Sequence, residues 1–130
     1  MNPFQQQGAF SWCELMTSDT TAAKEFYQKL FGWTLKDEPM PGGKTYTVIQ
    51  AGEAKIGSIM PTEDALSEQK PTPHWGTYVT VENVEQTVEL AKSMGATVYV
   101  PPTDIPQTGK FAVFGDPQEA VLSVISYDPM

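Results

Sequence analysis

Two stretches decide the fold: Trp12-Cys-Glu-Leu-Met-Thr-Ser-Asp19, followed by a helical pattern to Gly32, and Gly76-Thr-Tyr-Val-Thr-Val-Glu-Asn83, followed by a helical pattern to Gly95. The strand-like parts have equal length, so the chain reads as an internal repeat. Asp19 and Asn83 suit N-caps, because a short side-chain oxygen can accept an orphan backbone N–H, and Gln86 adds an approximate capping box to the second. Gly32 and Gly95 suit the left-handed position just past a helix. Between the caps, Ala22, Ala23, Phe26, Tyr27, Leu30 and Phe31 recur at one-face helical spacing, as do Val84, Val88 and Ala91 with Leu90 and Met94 beside them.

Strand-like runs follow each helix. After Gly32 they are Trp33 to Lys36, Tyr46 to Ala51 and Lys55 to Met60, broken at Pro39 to Gly43 and at Gly52-Glu53. After Gly95 they are Thr97 to Val100, Lys110 to Phe114 and Ala120 to Tyr127, broken at Pro101 to Gly109 and at Asp116-Pro-Gln-Glu119. Each half therefore reads βαβββ, giving an α+β chain with one module over about 9–61 and another over about 74–127. Residues 62–73 are polar and end in Pro, as a linker would, and residues 1–8 read as a loose polar arm. At 130 residues we expect a single domain able to bury a core without disulfides or metal.

Charge narrows the function classes. Sixteen acidic residues against eight basic ones give −8, and all eight basic residues are lysines. An acidic, arginine-free chain is a poor partner for nucleic acid or an anionic membrane. It also lacks the guanidinium fork that binds phosphate or carboxylate bidentately. One cysteine, Cys13, excludes an intrachain disulfide, and one histidine, His74, restricts any imidazole chemistry to that residue. With no apolar run near the ~20 residues of a membrane span and no signal-like core, the expected compartment is the cytoplasm.

The paired modules resemble the vicinal oxygen chelate superfamily of glyoxalases, extradiol dioxygenases and bleomycin-resistance proteins, in its small glyoxalase-like branch. The resemblance rests on Trp12-x-Glu14-Leu, Asp19 with Phe26-Tyr-x-x-Leu-Phe-Gly-Trp33, His74-Trp-x-x-Tyr78 and Gly95-Ala. Pro101-Pro-Thr-Asp-Ile105, Gly109-x-Phe111 and Asp116-Pro extend it, so that it spans about Ala9 to Tyr127. It implies a curved eight-stranded mixed sheet with the helices on the convex side and the site on the concave face. In metal-dependent members four inward side chains hold one divalent ion that chelates substrate oxygens.

The expected ligand positions depart from that pattern. Seven residues before the N-caps stand Trp12 and Gly76, seven after Asp116 stands Ser123, and the fourth falls within Gly57 to Met60. None offers a carboxylate or imidazole, so no cofactor is expected, and a divalent metal would need non-standard ligands. The family's Asp-Pro-Gln motif usually continues with Gly. Here Glu119 follows, so the turn either tolerates a non-glycine residue or differs in geometry.

Glu14 alternates with Trp12, so both face one side of the first strand. A carboxylate in an aromatic cavity could serve as a general base, or it could be a structural acceptor. His74, beside Pro73, could shuttle a proton at the rim or pack as a boundary residue. Trp12, Trp33, Trp75, Tyr46, Tyr78, Phe111 and Phe114 offer flat apolar surface for a planar ligand, with core packing the expectation for Trp33 and Phe114. Tyr78 occupies the repeat position of Glu14. Ser58 and Ser123 suit polar positions in the cavity, and Cys13, pointing the other way, is expected in the core. Pro101 to Gly109 reads as either a mobile lid or a rigid turn.

The leading functional expectation is a metal-free protein binding an apolar or aromatic small molecule, with Trp12, Glu14, Ser58, Gly76, Tyr78, Phe111 and Ser123 in contact with it. One alternative is a lyase or isomerase using Glu14 as general base, with or without a divalent metal held by non-standard ligands, and with His74 as the other catalytic candidate. Another is a dimeric interaction module with a filled cavity. A homodimer is the expected assembly.

Overall fold

Asp19 and Asn83 start the helices as their side chains dictate. The structure, a computed structural model, describes residues 1–39, 43–64, 72–106 and 108–128. Asp19 accepts from the amide of Ala22 at the head of α1 (Thr20–Phe31), and Gly32 ends that helix at φ 71°. Asn83 accepts from the amide of Gln86 at the head of α2 (Val84–Ser93), and Gly95 follows at φ 99°.

The chain divides into two compact units, Trp12–Trp75 and Gly76–Met130 with Met1–Ser11. In the first unit β1 (Phe10–Thr17) pairs in parallel with β4 (Ala54–Pro61), and β2 (Thr34–Pro39), β3 (Thr45–Ala51) and β4 follow antiparallel, giving the order β2-β3-β4-β1. In the second, β5 (His74–Thr80) pairs in parallel with β8 (Val121–Tyr127), and β6 (Thr97–Ile105), β7 (Gly109–Gly115) and β8 are antiparallel, giving β5-β8-β7-β6. Among the described residues, eight strands and two α-helices thus form an α+β fold of two βαβββ repeats.

Each helix covers one face of its own strands. Leu15, Ile49 and Ile59 form the buried centre of the first unit, with Ala23 and Tyr27 of α1 and Trp33 and Leu35 packed on it. Val84 and Val88 of α2 pack with Val81, Ala112 and Val124, and Val98 and Phe114 complete that cluster. Trp33 and Phe114 are therefore core, as expected. Strand alternation sends the intervening residues of each strand to the helix-free face.

Several expectations are corrected. Residues 1–8 are not loose: Thr80 Oγ1 donates to the Pro3 carbonyl (2.6 Å), the Glu82 amide to Gln7 Oε1 (2.7 Å) and the Gly8 amide to the Thr80 carbonyl (2.8 Å). Phe4 also lies edge-on to Tyr127 at 5.0 Å. Polar arm residues found unpaired backbone and hydroxyl partners, a signal that periodicity does not carry. Cys13 shares the face of Leu15 but is exposed, because the packed residues of α1 cover Leu15 and leave Cys13 open. Most of the apolar face expected on α1 is open too, with Phe26, Leu30 and Phe31 more than half exposed, as are Leu90 of α2 and Met94 just past its end.

The Pro101 to Gly109 break is mostly strand. β6 runs through both prolines to Ile105, absorbing them with register shifts at Val98/Val100 and Val100/Thr103. Proline is tolerated at such bulges because no ladder N–H is required there. Gln107 of that stretch lies outside the described residues, as do residues 65–71 of the expected linker, which opens with a 3₁₀ turn over Thr62–Asp64.

The Asp116 turn tolerates its non-glycine residue. Asp116 Oδ1 accepts from the amides of Gln118 (2.8 Å) and Ala120 (3.0 Å), and Glu119 is held at φ 71°. That left-handed conformation strains a residue with a Cβ. Glu119→Gly should therefore raise stability by about 0.5–1 kcal/mol, read as a higher urea midpoint at unchanged m. A lower midpoint would show that Glu119 makes a compensating contribution.

Candidate functional site

β1 and β4 are parallel neighbours with Glu14 opposite Ser58. Paired residues share a face, and here it is the one away from Leu15. Trp12, two residues before Glu14, reaches the same hydroxyl. Its Nε1–H donates to Ser58 Oγ at 3.0 Å, and Ser58 Oγ donates to Glu14 Oε2 at 3.0 Å. Ser58 is 2% exposed. One buried hydroxyl thus joins an indole donor to a carboxylate acceptor and fixes the hydrogen direction along the relay. Val48, opposite Ser58 on β3, and Met16 are buried beside it, and Trp12 and Glu14 are half-buried.

Further along the same face, Tyr46 lies opposite Glu38, which pairs with Lys36 at 3.6 Å. Burial first, and the Glu38 charge second, hold the Tyr46 phenol above its ordinary pKa. On the other face Asp37 accepts from Thr47 (2.7 Å). That bond chiefly lowers its pKa, and Lys24 of α1 adds to the effect.

The second unit repeats the pattern with different chemistry. Tyr78 is opposite Ser123 across the parallel β5·β8 pair, as Glu14 is opposite Ser58, and both are buried. The Phe111 ring lies 6.4 Å from that of Tyr78. Tyr127 donates or accepts with Ser11 at 2.7 Å, and burial raises its pKa against that hydrogen bond. Phe4 of the N-terminal arm adds another ring to this face, a residue that sequence reasoning missed because the arm carries no periodic signal. Gly76 is half-buried on β5.

His74 is exposed at the start of β5, with Nδ1 2.7 Å from the Thr72 carbonyl. Trp75 is 40% exposed and stands edge-on to Tyr27 (5.4 Å) and Trp33 (6.1 Å), its Nε1–H directed at the Tyr27 hydroxyl at 3.3 Å. It extends the aromatic packing of the helix side.

The model of the Glyoxalase/Bleomycin resistance protein/Dioxygenase superfamily matches residues 9–124. The chain belongs to this superfamily. A Mycobacterium tuberculosis protein named "Putative glyoxylase CFP32" is 34% identical over 128 residues, covering 95% of this chain and 46% of its own length. The Streptomyces peucetius anthracycline biosynthesis protein DnrV is 26% identical over 127 residues, covering 90% of this chain and 46% of DnrV. The chain spans about half the length of the curated relatives it matches. Among solved structures, hypothetical protein BH1468 from Bacillus halodurans C-125 superposes with a TM-score of 0.68 at 15% identity, over 96% of this chain and 98% of that one. It shares the fold.

The superfamily's metal chemistry does not fit the residues at the expected ligand positions. The Trp12 nitrogen is a hydrogen-bond donor already committed to Ser58, Gly76 has no side chain, and Ser58 and Ser123 are neutral hydroxyls. Among the described residues no three His, Cys, Asp or Glu side chains group closely enough to hold a metal.

Proposed function

We propose that this superfamily member binds a small apolar or aromatic molecule without a metal, on the helix-free faces of its sheet. The observation that carries the reading is the Trp12–Ser58–Glu14 relay. It sets a carboxylate acceptor beside an indole and the buried side chains of Met16 and Val48. Ligand sites commonly combine apolar walls with a few fixed polar groups. The oriented hydroxyl holds Glu14 in place before a ligand arrives, which lowers the entropic cost of binding. Tyr78, Phe111 and Ser123 supply a second aromatic surface with a buried hydroxyl, and half-buried Gly76 stands two residues before Tyr78 on the same strand. A ligand with a flat apolar body and one hydrogen-bond donor matches the first of these surfaces by itself. The relay also suits proton transfer.

The test is a panel of planar aromatic compounds, read by thermal shift and tryptophan emission, with EDTA and separately with Ni, Co and Zn. A ligand at a hundred times its Kd should stabilise the protein by about 2.7 kcal/mol in EDTA. Glu14→Gln should weaken that ligand about tenfold, the loss of roughly one charge-assisted hydrogen bond. No response from any compound, or a response only with a divalent ion added, would reject the proposal.

A further inference from the structure

The N-terminal arm is built onto the helix-free face of the second repeat. Asn2 starts it. The Asn2 side chain accepts from the Phe4 amide and the Asn2 carbonyl from the Gln5 amide, both at 3.0 Å, so a turn fixes the backbone at Phe4. Thr80 of β5 then ties the arm down three times. Its hydroxyl donates to the Pro3 carbonyl, its carbonyl accepts from the Gly8 amide, and its amide donates to the Ala9 carbonyl. Thr80 stands opposite Ile125 on β8, and both are 4% exposed although α2 packs on the other face. The arm closes the face at that end. Phe4 meets Tyr127 there at 5.0 Å, with the two rings 85° apart. Two rings at right angles make a corner. Tyr127 follows Ser123 by four residues on the same face of β8, and Phe111, opposite Ile125, is its diagonal neighbour. The aromatic row of Tyr78, Phe111 and Tyr127 therefore runs into the corner. Polar groups at the corner are engaged within the protein: the Tyr127 hydroxyl with Ser11 Oγ at 2.7 Å, and the Thr80 hydroxyl with Pro3. At the other end of the row stands the Ser123 hydroxyl, opposite Tyr78.

We propose that Phe4 is a specificity-determining residue: held by the arm, it ends the aromatic surface of the second repeat and restricts that surface to planar molecules of two fused rings. The inference rests on the reading of the helix-free faces as ligand sites. Ser123 and Tyr127 lie about 13 Å apart along β8. The thickness of the rings that bound this length leaves space for two fused rings end to end and not for a third. The apolar end of the ligand enters the corner, because a polar substituent there would lose water without gaining a partner. A hydrogen-bond acceptor belongs at the opposite end, where the Ser123 hydroxyl is a donor. This chemistry differs from that of the first repeat, where Glu14 calls for a donor. Thr80 is a positioning residue, because its hydroxyl holds the segment that carries Phe4.

The test titrates the full, isotope-labelled chain with quinoline and with its linear three-ring analogue benzo[g]quinoline, read by amide chemical shifts. Both probes carry one acceptor and no donor. Quinoline should shift the amides of Thr80, Phe111, Ser123 and Tyr127. The three-ring probe should bind at least about tenfold more weakly, since it must displace the wall. Phe4→Ala should abolish that preference. Thr80→Val, which keeps the side-chain shape and removes the donor to Pro3, should reduce it in the same direction. A ratio of two affinities is the readout because a general loss of stability would weaken both probes alike. Quinoline shifts absent from the second repeat, equal binding of the two probes by the parent, or a preference kept in full by Phe4→Ala would each overturn the assignment. A preference kept by Thr80→Val would overturn the positioning role. Binding of donor-bearing compounds that shifts only the amides around Trp12, Glu14 and Ser58, with quinoline silent, would overturn the arm assignment and leave the ligand reading standing.

Discussion

Gly57→Ala should destabilise the protein by about 3 kcal/mol or more, the range reached when a backbone contact or close-packed core is violated. Gly57 is buried on β4, opposite Cys13 on the parallel strand β1. A Cβ at this position would overlap the Cys13 carbonyl oxygen, which is backbone and cannot rotate away, while its distance to the Ile49 side chain, 3.6 Å, is an ordinary contact. The strands must part or shift, and Leu15 and Ile59, two residues further along the same pair, must follow. Ser58 is the next residue, so the relay to Trp12 and Glu14 should be disturbed as well. Urea unfolding measures the loss, with a changed tryptophan emission as the second reading. Gly52→Ala is the comparison. Gly52 has φ 59° and nothing within 4 Å of an added Cβ, so only backbone strain of about 1 kcal/mol is expected. A Gly57→Ala loss no larger than that of Gly52→Ala would mean that β1 and β4 separate easily.

Ser58→Ala should cost about 1–3 kcal/mol, more than an exposed serine would. The hydroxyl accepts from Trp12 and donates to Glu14, and it is 2% exposed, so little water can take its place. Deletion leaves the indole N–H without the acceptor it has here and removes a donor from a half-buried carboxylate. A double-mutant cycle of Ser58→Ala with Trp12→Phe isolates the indole–hydroxyl bond, and a coupling of about 1 kcal/mol is expected. Additive losses would show that the Trp12–Ser58 bond contributes nothing, and the relay could then no longer be said to hold Glu14 in place.

The contrast between the two repeats shows what that relay adds. Glu14 faces Ser58, and Tyr78 faces Ser123 at the same repeat position. Duplicate backbones thus carry a charged acceptor in one unit and a phenol in the other. The helix side differs less: both clusters are built from aliphatic strand residues with two helix residues laid across them.

Local chemistry made much of this legible from the chain. Asp19 and Asn83 cap helices because their side chains compete for nearby amides, and Gly32 and Gly95 end them because a left-handed residue is cheapest without a Cβ. Alternation alone put Trp12 and Glu14 on one face and Cys13 on the other. These are contacts within a few residues, and sequence spacing encodes them directly.

Other features depend on partners distant in sequence. That Ser58 Oγ lies 3.0 Å from both Trp12 and Glu14 follows from the parallel register of β1 and β4, which no local pattern specifies. The ties of Pro3 and Gln7 to Thr80 and Glu82 join residues more than seventy positions apart. The exposure of Cys13, Phe26 and Leu30 was likewise decided by tertiary packing, since an apolar residue at helical or strand spacing is buried only where another element covers it. The two βαβββ repeats, their caps and the facing of their strands could be read from the chain, because each is enforced within a turn or a strand. Which side chains meet across strands, and which apolar ones are left open, was settled by register and coverage in the folded chain.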